Sequence, residues 1–408
     1  MLKIIFDTFF LLGLFLHFCC LEAHLAEETL YLTWKKNPST TMTIQCVEES
    51  SVSNIAFIYA LKEAQPKWKE VYPQKLSFPF FSLYSIYSAE ISSLSPNTEY
   101  IFKIVDKEKI YQFKTAPAEL NEEIRFVVGG DMYHDDIKYM VKTSEQAAKT
   151  SPLFALIGGD IAYAVQSPFN SKQKVGRWIE WLKAWHETMT TPEGNLVPII
   201  AAIGNHDIPG EYSQTPKQAA IFSALFPMPG KQVYNVLDFT NYLSIFILDS
   251  GHANRIEGPQ ANWLKKVLEV RTPVLHKMAI YHVPAYPSVR MFQNSISSKI
   301  RRYWVPLFEK KGIQTVFENH DHAYKRTFPL LKNKIQPHGK GVLYIGDGAW
   351  GVEKPRISFT KRKRFYINRF ISARHFIKVS LTSTQQRFTA INDQGLILDE
   401  YIRELKSL

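Results

Sequence analysis

Cysteine is scarce in this 408-residue chain. There are three, and two of them, Cys19 and Cys20, lie in the first apolar stretch. If that stretch is removed on export, Cys46 alone remains and no internal disulfide can form. Domains of this size do not need one. Usable glycosylation acceptors are also missing, because Asn37-Pro38-Ser39 is blocked by its proline. No internal repeat is found. Acidic residues are outnumbered: 38 Asp and Glu face 49 Lys and Arg, a net charge of +11. That balance favours anionic partners, whether phosphorylated substrates, nucleic acid, acidic glycans or membrane surfaces.

The rest of the composition is that of a globular protein. Hydrophobic residues make up 45% and charged residues 21%. An aromatic share of 13% points to large cores rather than disorder. The length leaves room for two or three domains. Lys3 followed by the apolar residues 4–21, broken only by Asp7 and His17, reads as a signal peptide over 1–26, with Ala23 and Ala26 as cleavage points. The expected destination is export, secreted or periplasmic. Asp7 keeps an uncleaved membrane anchor open as the alternative. The Cys19-Cys20 pair raises a lipidated terminus, which Phe18 disfavours.

Residues 27–117 read as an all-β module. Segments 30–34, 41–46 and 54–60 alternate partly between apolar and polar, as half-buried strands do. At 94–104 a turn leads into a strand that opens with Tyr100, like the tyrosine corner of sandwich domains. This part resembles a fibronectin type III-like β-sandwich and carries no catalytic set. From 120 to 408 the pattern alternates strands with helices, which means an α/β domain with much parallel sheet. Helices are expected over 135–150, 177–189, 258–270 and 298–311. A strand-rich stretch from 342 to 400 completes the same domain.

The second domain is organised around Gly158-Gly159-Asp160-Ile161-Ala162-Tyr163. It follows an apolar run of strand length, so Asp160 sits at a strand's carboxyl end, where open α/β sheets bind ligands. Four other expected strands end in the same manner. One ends in Asp131, one in Asn205-His206, one in His282, and one in Asn319-His320-Asp321-His322. A single Asp or His after a strand is ordinary capping or packing; five in succession point to one site. Carboxylate, amide oxygen, phenol and imidazole together suit hard to borderline metals. His320 and His322 share a face if locally extended. They fit two adjacent ions better than one, and a bridging Asp160 would hold such ions about 3.5–4 Å apart.

Asp, Asp-x-x-Tyr, Asn-His, His and His-x-His in this order resemble the metallophosphoesterase (calcineurin-like) superfamily. The Tyr of Gly-Asp-x-x-Tyr resembles its purple acid phosphatase family specifically. The segment from Asn37 and Asp321-His322-Ala323-Tyr324-Lys325-Arg326 extend the similarity over roughly residues 28 to 400. The resemblance implies an αββα-sandwich catalytic domain and an acid phosphatase activity. It implies that Asp131, Tyr163 and His322 bind Fe(III), that Asn205, His282 and His320 bind a divalent Zn, Mn or Fe(II), and that Asp160 bridges them. A metal-bound hydroxide would then attack a phosphate monoester, with His206 contacting the phosphate or protonating the leaving oxygen and Asn205 also beside the substrate. Phosphorylated small molecules or polymers are the expected partners, with no specific nucleic acid and weak association with anionic surfaces. Phosphodiester or nucleotide hydrolysis on the same site is a second reading, and a non-catalytic surface-binding protein a third.

The chain departs from the family pattern at several places. Tyr133 stands where a glycine is usual and is expected to reshape the pocket mouth. Asn319 replaces the glycine before His-x-His and is expected to take the left-handed turn. Lys325-Arg326 replaces Glu-Arg, and Asp207 replaces Glu. Residues 284–288 stand where some members add histidines. Lys361-Arg362-Lys363-Arg364 is either a solvated basic loop or a collar that draws polyanions.

Overall fold

The computed structural model describes residues 25–52, 54–166, 172–230, 233–336, 340–357 and 364–405. Most of the expected signal peptide therefore lies outside the described residues. Leu25–Glu28 forms a short helix in which Ala26 is buried and donates its N–H to Glu48. Among the described residues no helix is long and apolar enough to cross a membrane.

The β-rich first part is a sandwich. One layer is a four-stranded sheet in the order Lys69–Val71, Phe57–Leu61, Glu99–Ile104 and Tyr111–Lys114. Tyr100 makes the expected corner, its hydroxyl accepting the Ser95 N–H at 2.8 Å. The other layer, however, does not stop at the module's edge. Gln74–Ser77, Tyr84–Ile91, Met42–Glu49 and Tyr31–Thr33 continue directly into strands of the α/β part. Thr33 pairs in parallel with Ile199, and its hydroxyl donates to the Ile199 carbonyl at 2.8 Å. A second seam forms where Leu196 N–H donates to the Gln112 carbonyl at 2.9 Å. Sequence periodicity reads two modules here; backbone pairing makes one sheet of ten strands.

Beyond Tyr31–Thr33 that sheet runs through Ile199–Ala201, Ala155–Ile157, Ile124–Gly129, His375–Leu381, Gln385–Asn392 and Ile397–Glu404. A second sheet holds Asn235–Phe239, Leu243–Ile247, His276–Ile280, Thr315–Glu318, Leu343–Gly346, Tyr324–Thr327 and Ile367–Ile371 in that spatial order. Phe126, Val128, Leu156 and Ile377 of the first sheet meet Ile245, Met278, Phe317 and Ile345 of the second in one buried core. The outer face of the first sheet is covered by Ile137–Ala148 and Val175–Thr188, the latter contributing Trp178, Trp181 and Trp185. Helices Pro259–Val270, Ser295–Tyr303 and Val305–Lys311 cover the outer face of the second. The layers are α, β, β, α. Continuous apolar runs, buried on both faces, give the inner strands, as burial from both sides requires.

The helix expected over 298–311 is two helices. The break falls at Trp304, just before Pro306, which lacks an N–H and suits the first turn of a new helix rather than the interior of an old one. Trp304 is buried and donates its indole N–H to the Ile256 carbonyl.

Because the two parts share a sheet, removing residues 27–117 strips Ile199–Ala201 of its partner on one side and leaves only Ala155–Ile157. It also takes Trp34 away from Phe154 and Phe239, whose ring centroids lie 6.1 and 5.8 Å from it. The shortened chain should aggregate through its open edge and bared core. Size-exclusion chromatography checks this; a monodisperse fragment with cooperative unfolding would show the seams to be dispensable.

Candidate metal centre

In both sheets the site strands run parallel, so their carboxyl ends lie at one edge. Ile124–Gly129, Ala155–Ile157 and Ile199–Ala201 deliver Asp131, Asp160 and the short turn Asn205–Asp207. His276–Ile280 and Thr315–Glu318 deliver His282 and the segment 319–322. The two sheets are stitched together at this edge. His282 Nδ1–H donates to the Gly158 carbonyl at 2.9 Å, and His320 N–H donates to Asp131 Oδ2 at 3.0 Å.

All seven expected donor side chains are buried and come together as two groups of three with one carboxylate beside them. In the first group, Asp131 Oδ1 lies 3.0 Å from the Tyr163 hydroxyl and 2.9 Å from His322 Nε2, which is 3.1 Å from that hydroxyl. In the second, His282 Nε2 lies 3.0 Å from both Asn205 Oδ1 and His320 Nδ1. Asp160 Oδ2 stands 3.2 Å from the same Nε2. The ligand atoms of Asp160, His282 and His320 all lie within 4.8 Å of one another.

Two observations test whether a cation suits this set. Asp160 Oδ2 is buried and accepts no hydrogen bond of good geometry, whereas Oδ1 accepts the His206 N–H at 2.7 Å. Buried carboxylate oxygens are seldom left this way unless an ion completes them. Five of the seven residues, Asp131, Asp160, Tyr163, His320 and His322, also have positive φ, between 47° and 78°. Each such residue costs about 1–3 kcal/mol, a strain that collects at ligand sites. The donor set fits two adjacent cations.

The same backbone angles revise the reading of His320 and His322. They are left-handed rather than extended, so their rings serve different groups. Asn319 was expected to take the left-handed position and does not. Its side-chain amide instead donates to the Tyr281 carbonyl at 3.1 Å and fills the space that Gly158 leaves, 1.7 Å from where a Cβ would lie. Gly348 is needed for a similar reason: with φ +63°, its Cβ would fall 1.7 Å from Asp131 Oδ2.

Tyr133 does not reshape the mouth. It is buried against Val175–Thr188, with its hydroxyl on Glu180 at 2.5 Å and its ring 3.6 Å beneath the Arg177 guanidinium. Arg177 also holds the Tyr133 carbonyl. Residues 284–288 form buried support rather than substrate contacts: Tyr286 is fully buried and the Ser288 hydroxyl donates to Asp347. Of the basic run 361–364, the first three residues lie outside the described ones. Arg364 is neither solvated loop nor collar, since its guanidinium is spent on the carbonyls of Pro287 and Val289.

His206 Nδ1–H donates to the Val165 carbonyl at 2.6 Å. Its ring stacks on Tyr163 with centroids 4.6 Å apart, and 23% of the side chain is exposed. Nε2 lies 4.0 Å from Asp160 Oδ2. Asp207 accepts N–H groups from Asp160, Ile161 and Gly204, each at 2.9 Å, and so ties two strand ends.

Sequence reading missed four residues around this centre. His134 packs edge-on to both Tyr163 and His322, centroids 4.9 Å away. The Tyr212 hydroxyl lies 3.4 Å from His320 Nε2. Arg290 pairs with Asp321 at 2.9 Å. Arg356 donates its N–H to the His322 carbonyl at 2.7 Å. All four sit in loops a few residues from a motif or, for Arg356, far from any. Only the proximity of His134 to Asp131 in sequence was a usable signal.

Charge follows this geometry. Burial disfavours ionised Asp160, but His282 and His206 hold its carboxyl well below the usual range. Burial would likewise depress His282, yet Asp160 and Asp131 raise it to about 9. Burial, then Asp131 and Asp160, push the Tyr163 phenol up. Burial and Arg290 lower His320.

The comparisons with known proteins agree with this architecture. The model for the calcineurin-like phosphoesterases matches residues 124–324. The model for the N-terminal domain of purple acid phosphatases matches residues 28–115. Arabidopsis thaliana purple acid phosphatase 21 is 26% identical over 66% of this chain and 59% of its own length. Purple acid phosphatase 5 of the same plant is 24% identical over 74% and 71%. A purple acid phosphatase from yellow lupin seeds superposes with a TM-score of 0.75 at 17% identity, covering 92% of this chain and 73% of its own. The structure titled PhoD gives 0.67 at 10%, covering 95% and 94%. At such identities the superpositions speak for the fold alone. Fold, site and family models together define a calcineurin-like phosphoesterase. Within that class the chain belongs to the purple acid phosphatase family.

Two predictions arise here. Beneath the centre, Lys325 Nζ is fully buried, 2.5 Å from Glu318 Oε2 and 3.6 Å from Asp347 Oδ2. Glu318 also accepts from the Tyr281 hydroxyl and the Ala285 N–H. Lys325→Met leaves that carboxylate buried without a cation and should destabilise the protein by about 3–5 kcal/mol in urea unfolding. Separately, the folded pKa of His282 exceeds its ordinary 6.5. In chelator-stripped protein its stabilisation is therefore complete below about pH 6.5 and lost as pH rises towards 9. Tm measured across that window should fall more for the wild type than for His282→Asn.

Proposed function

We propose that this chain is an acid phosphatase with a dinuclear metal centre that hydrolyses phosphate monoesters. The observation that carries the reading is the pair of buried three-residue groups beside Asp160 Oδ2, an oxygen that accepts no hydrogen bond of good geometry. Asp131, Tyr163 and His322 would hold one cation; Asn205, His282 and His320 the other; Asp160 would lie between. A phenolate suits Fe(III), and an amide oxygen with two imidazoles suits Zn, Mn or Fe(II). When bound, such a pair supplies Lewis-acid polarisation of the phosphate and acidification of water.

The chain's own groups do the rest. His282 is oriented by Gly158, and His320 presents Nδ1 to the site while Nε2 faces Tyr212. His206 is fixed by Val165 and keeps Nε2 free for a phosphate oxygen or the leaving group. Hydrolysis breaks the phosphorus–ester oxygen bond and forms a bond from phosphorus to water oxygen. The leaving oxygen takes its proton from His206 Nε2–H, and the imidazole recovers one from water. Asn205, next in sequence, lines the same end. A bulky Tyr133 across the pocket mouth would have favoured the surface-binding reading, but the side chain is buried against Glu180 and Arg177. The reading also takes the chain as exported through the apolar run behind Lys3. Removal after Ala23 would leave the helix Leu25–Glu28 whole.

Metal analysis and a visible spectrum of the purified protein test this. About two metals per chain, including iron, and a broad band lost in Tyr163→Phe are expected. Asp160→Ala should lose both metals and all activity on phosphate monoesters. His206→Ala should keep both metals and lower kcat by about 100-fold or more. Turnover retained in Asp160→Ala would overturn the mechanism, and failure to bind metal after reconstitution would overturn the centre.

A further inference from the structure

From Leu76 to Ala89 no residue is charged. The stretch forms the hairpin between Gln74–Ser77, the last strand of the ten-stranded sheet, and Tyr84–Ile91. At its tip stand Phe80-Phe81-Ser82-Leu83, with Phe80 75% and Leu83 66% exposed. The tip is built rather than loose. Phe78 is buried beneath it; its N–H donates to the Tyr84 carbonyl and its carbonyl accepts the Phe81 N–H, both at 3.2 Å. The Phe81 ring stacks on Tyr84 with centroids 5.8 Å apart. Phe80 is held outward at φ 61°, in the left-handed region that bulky side chains rarely enter. A fixed, exposed apolar tip of this kind marks a surface that protein or lipid covers.

Its place in the fold selects lipid. Met42–Glu49 pairs with Tyr84–Ile91, Glu48 opposite Ser85, and the Ser50 N–H donates to the Leu83 carbonyl at 2.9 Å. Glu48 is also the residue that receives the Ala26 N–H, at 3.1 Å. The chain therefore enters the described structure one strand away from the tip. Leu25 follows the apolar run 4–21 by four residue steps, at most about 14 Å of extended chain. A bilayer that takes up this run during export lies close to the face from which the tip projects. Tyr31–Thr33 runs parallel to Ile199–Ala201, towards Asn205, and Met42–Glu49 runs antiparallel to Tyr31–Thr33. The tip thus lies at the edge of the sheet opposite the metal centre. At its base Lys75, on the Ser50 carbonyl at 3.0 Å, and Glu49, opposite Tyr84, offset one another in charge. Contact with lipid there rests on apolar burial.

We infer that the tip Phe80-Phe81-Ser82-Leu83 seats the protein on the surface of a phospholipid bilayer, with the metal centre turned away from the membrane. The inference shares with the proposed function only the reading of residues 4–21 as an export segment. None of its measurements involves turnover, and N-terminal sequencing of the exported protein reads the fate of that segment separately.

Two measurements test it. In the full chain with phosphatidylcholine vesicles, Phe80→Trp should gain a fluorescence component quenched by lipids brominated on their acyl chains. Met291→Trp, at an exposed position in the loop that holds Arg290 on the metal side, should gain none. The protein recovered after export should float with the same vesicles at high salt, where its net charge contributes little. Phe80→Asn with Leu83→Ser should weaken that partition about tenfold or more. Asparagine accepts the left-handed backbone, so Tm should be unchanged. Absence of flotation, equal flotation of wild type and variant, or quenching no greater at position 80 than at 291 would overturn the inference. So would a wild-type dimer in vesicle-free solution that the double variant dissolves, because the tip would then seat a second copy of the chain.

Discussion

One unsatisfied carboxylate oxygen organises this molecule. Asp160 Oδ2 is buried among Asn205, His282 and His320 and has no good hydrogen donor. A second carboxylate, Asp131, and a phenol lie in the adjoining group. So much acceptor character is costly to bury without positive charge. In the metal-free protein the proton on His282 meets part of the need, which is why its pKa rises despite burial. A pair of cations would meet it fully. The same atoms therefore explain both the tension in the bare fold and its fitness for metals.

The surroundings hold that tension in place. Five donor residues sit at left-handed backbone angles that no helix or strand would impose. They persist because other strand ends hold them: Asp131 and His320 by the bond between them, Asp160 by the His206 N–H and its own link to Asp207, Tyr163 by its hydroxyl on Asp131, and His322 by the Arg356 N–H. Behind them the buried Lys325 gathers Glu318 and Asp347, and Glu318 in turn orders the loop that follows His282. The departure from Glu-Arg to Lys-Arg in this chain therefore lies in the support beneath the centre rather than among the donors.

The fold was legible where periodicity carries physical content. Runs apolar on both faces marked inner strands, and the order of Asp, Asp-x-x-Tyr, Asn-His, His and His-x-His along successive strand ends marked one edge. What failed was the placing of single side chains. Tyr133 looked like an obstacle because its size was known but its direction was not; Arg177 and Glu180 turn it into the helix layer. Asn319 looked like a backbone substitute for glycine, and instead its amide fills space beside Gly158. Lys361 to Arg364 looked like one charge run, although Arg364 is committed to two carbonyls. Local patterning also cannot reveal that Tyr31–Thr33 pairs with Ile199–Ala201 and so joins the β part to the α/β part through one sheet.

The amino-acid order alone determined which elements form and which donor types arrive at the strand ends, because burial periodicity and turn chemistry are local properties. It also determined the kinds of ligand chemistry available, through the carboxylate, amide, phenol and imidazole it supplies. Only the tertiary structure decided how the donors divide into two groups, which carboxylate oxygen is left without a well-placed donor, and that Arg290 and Arg356 are both fastened to the turn carrying His320 and His322. Those outcomes depend on distances between atoms brought together from strands far apart in sequence. Such distances are set by packing between sheets.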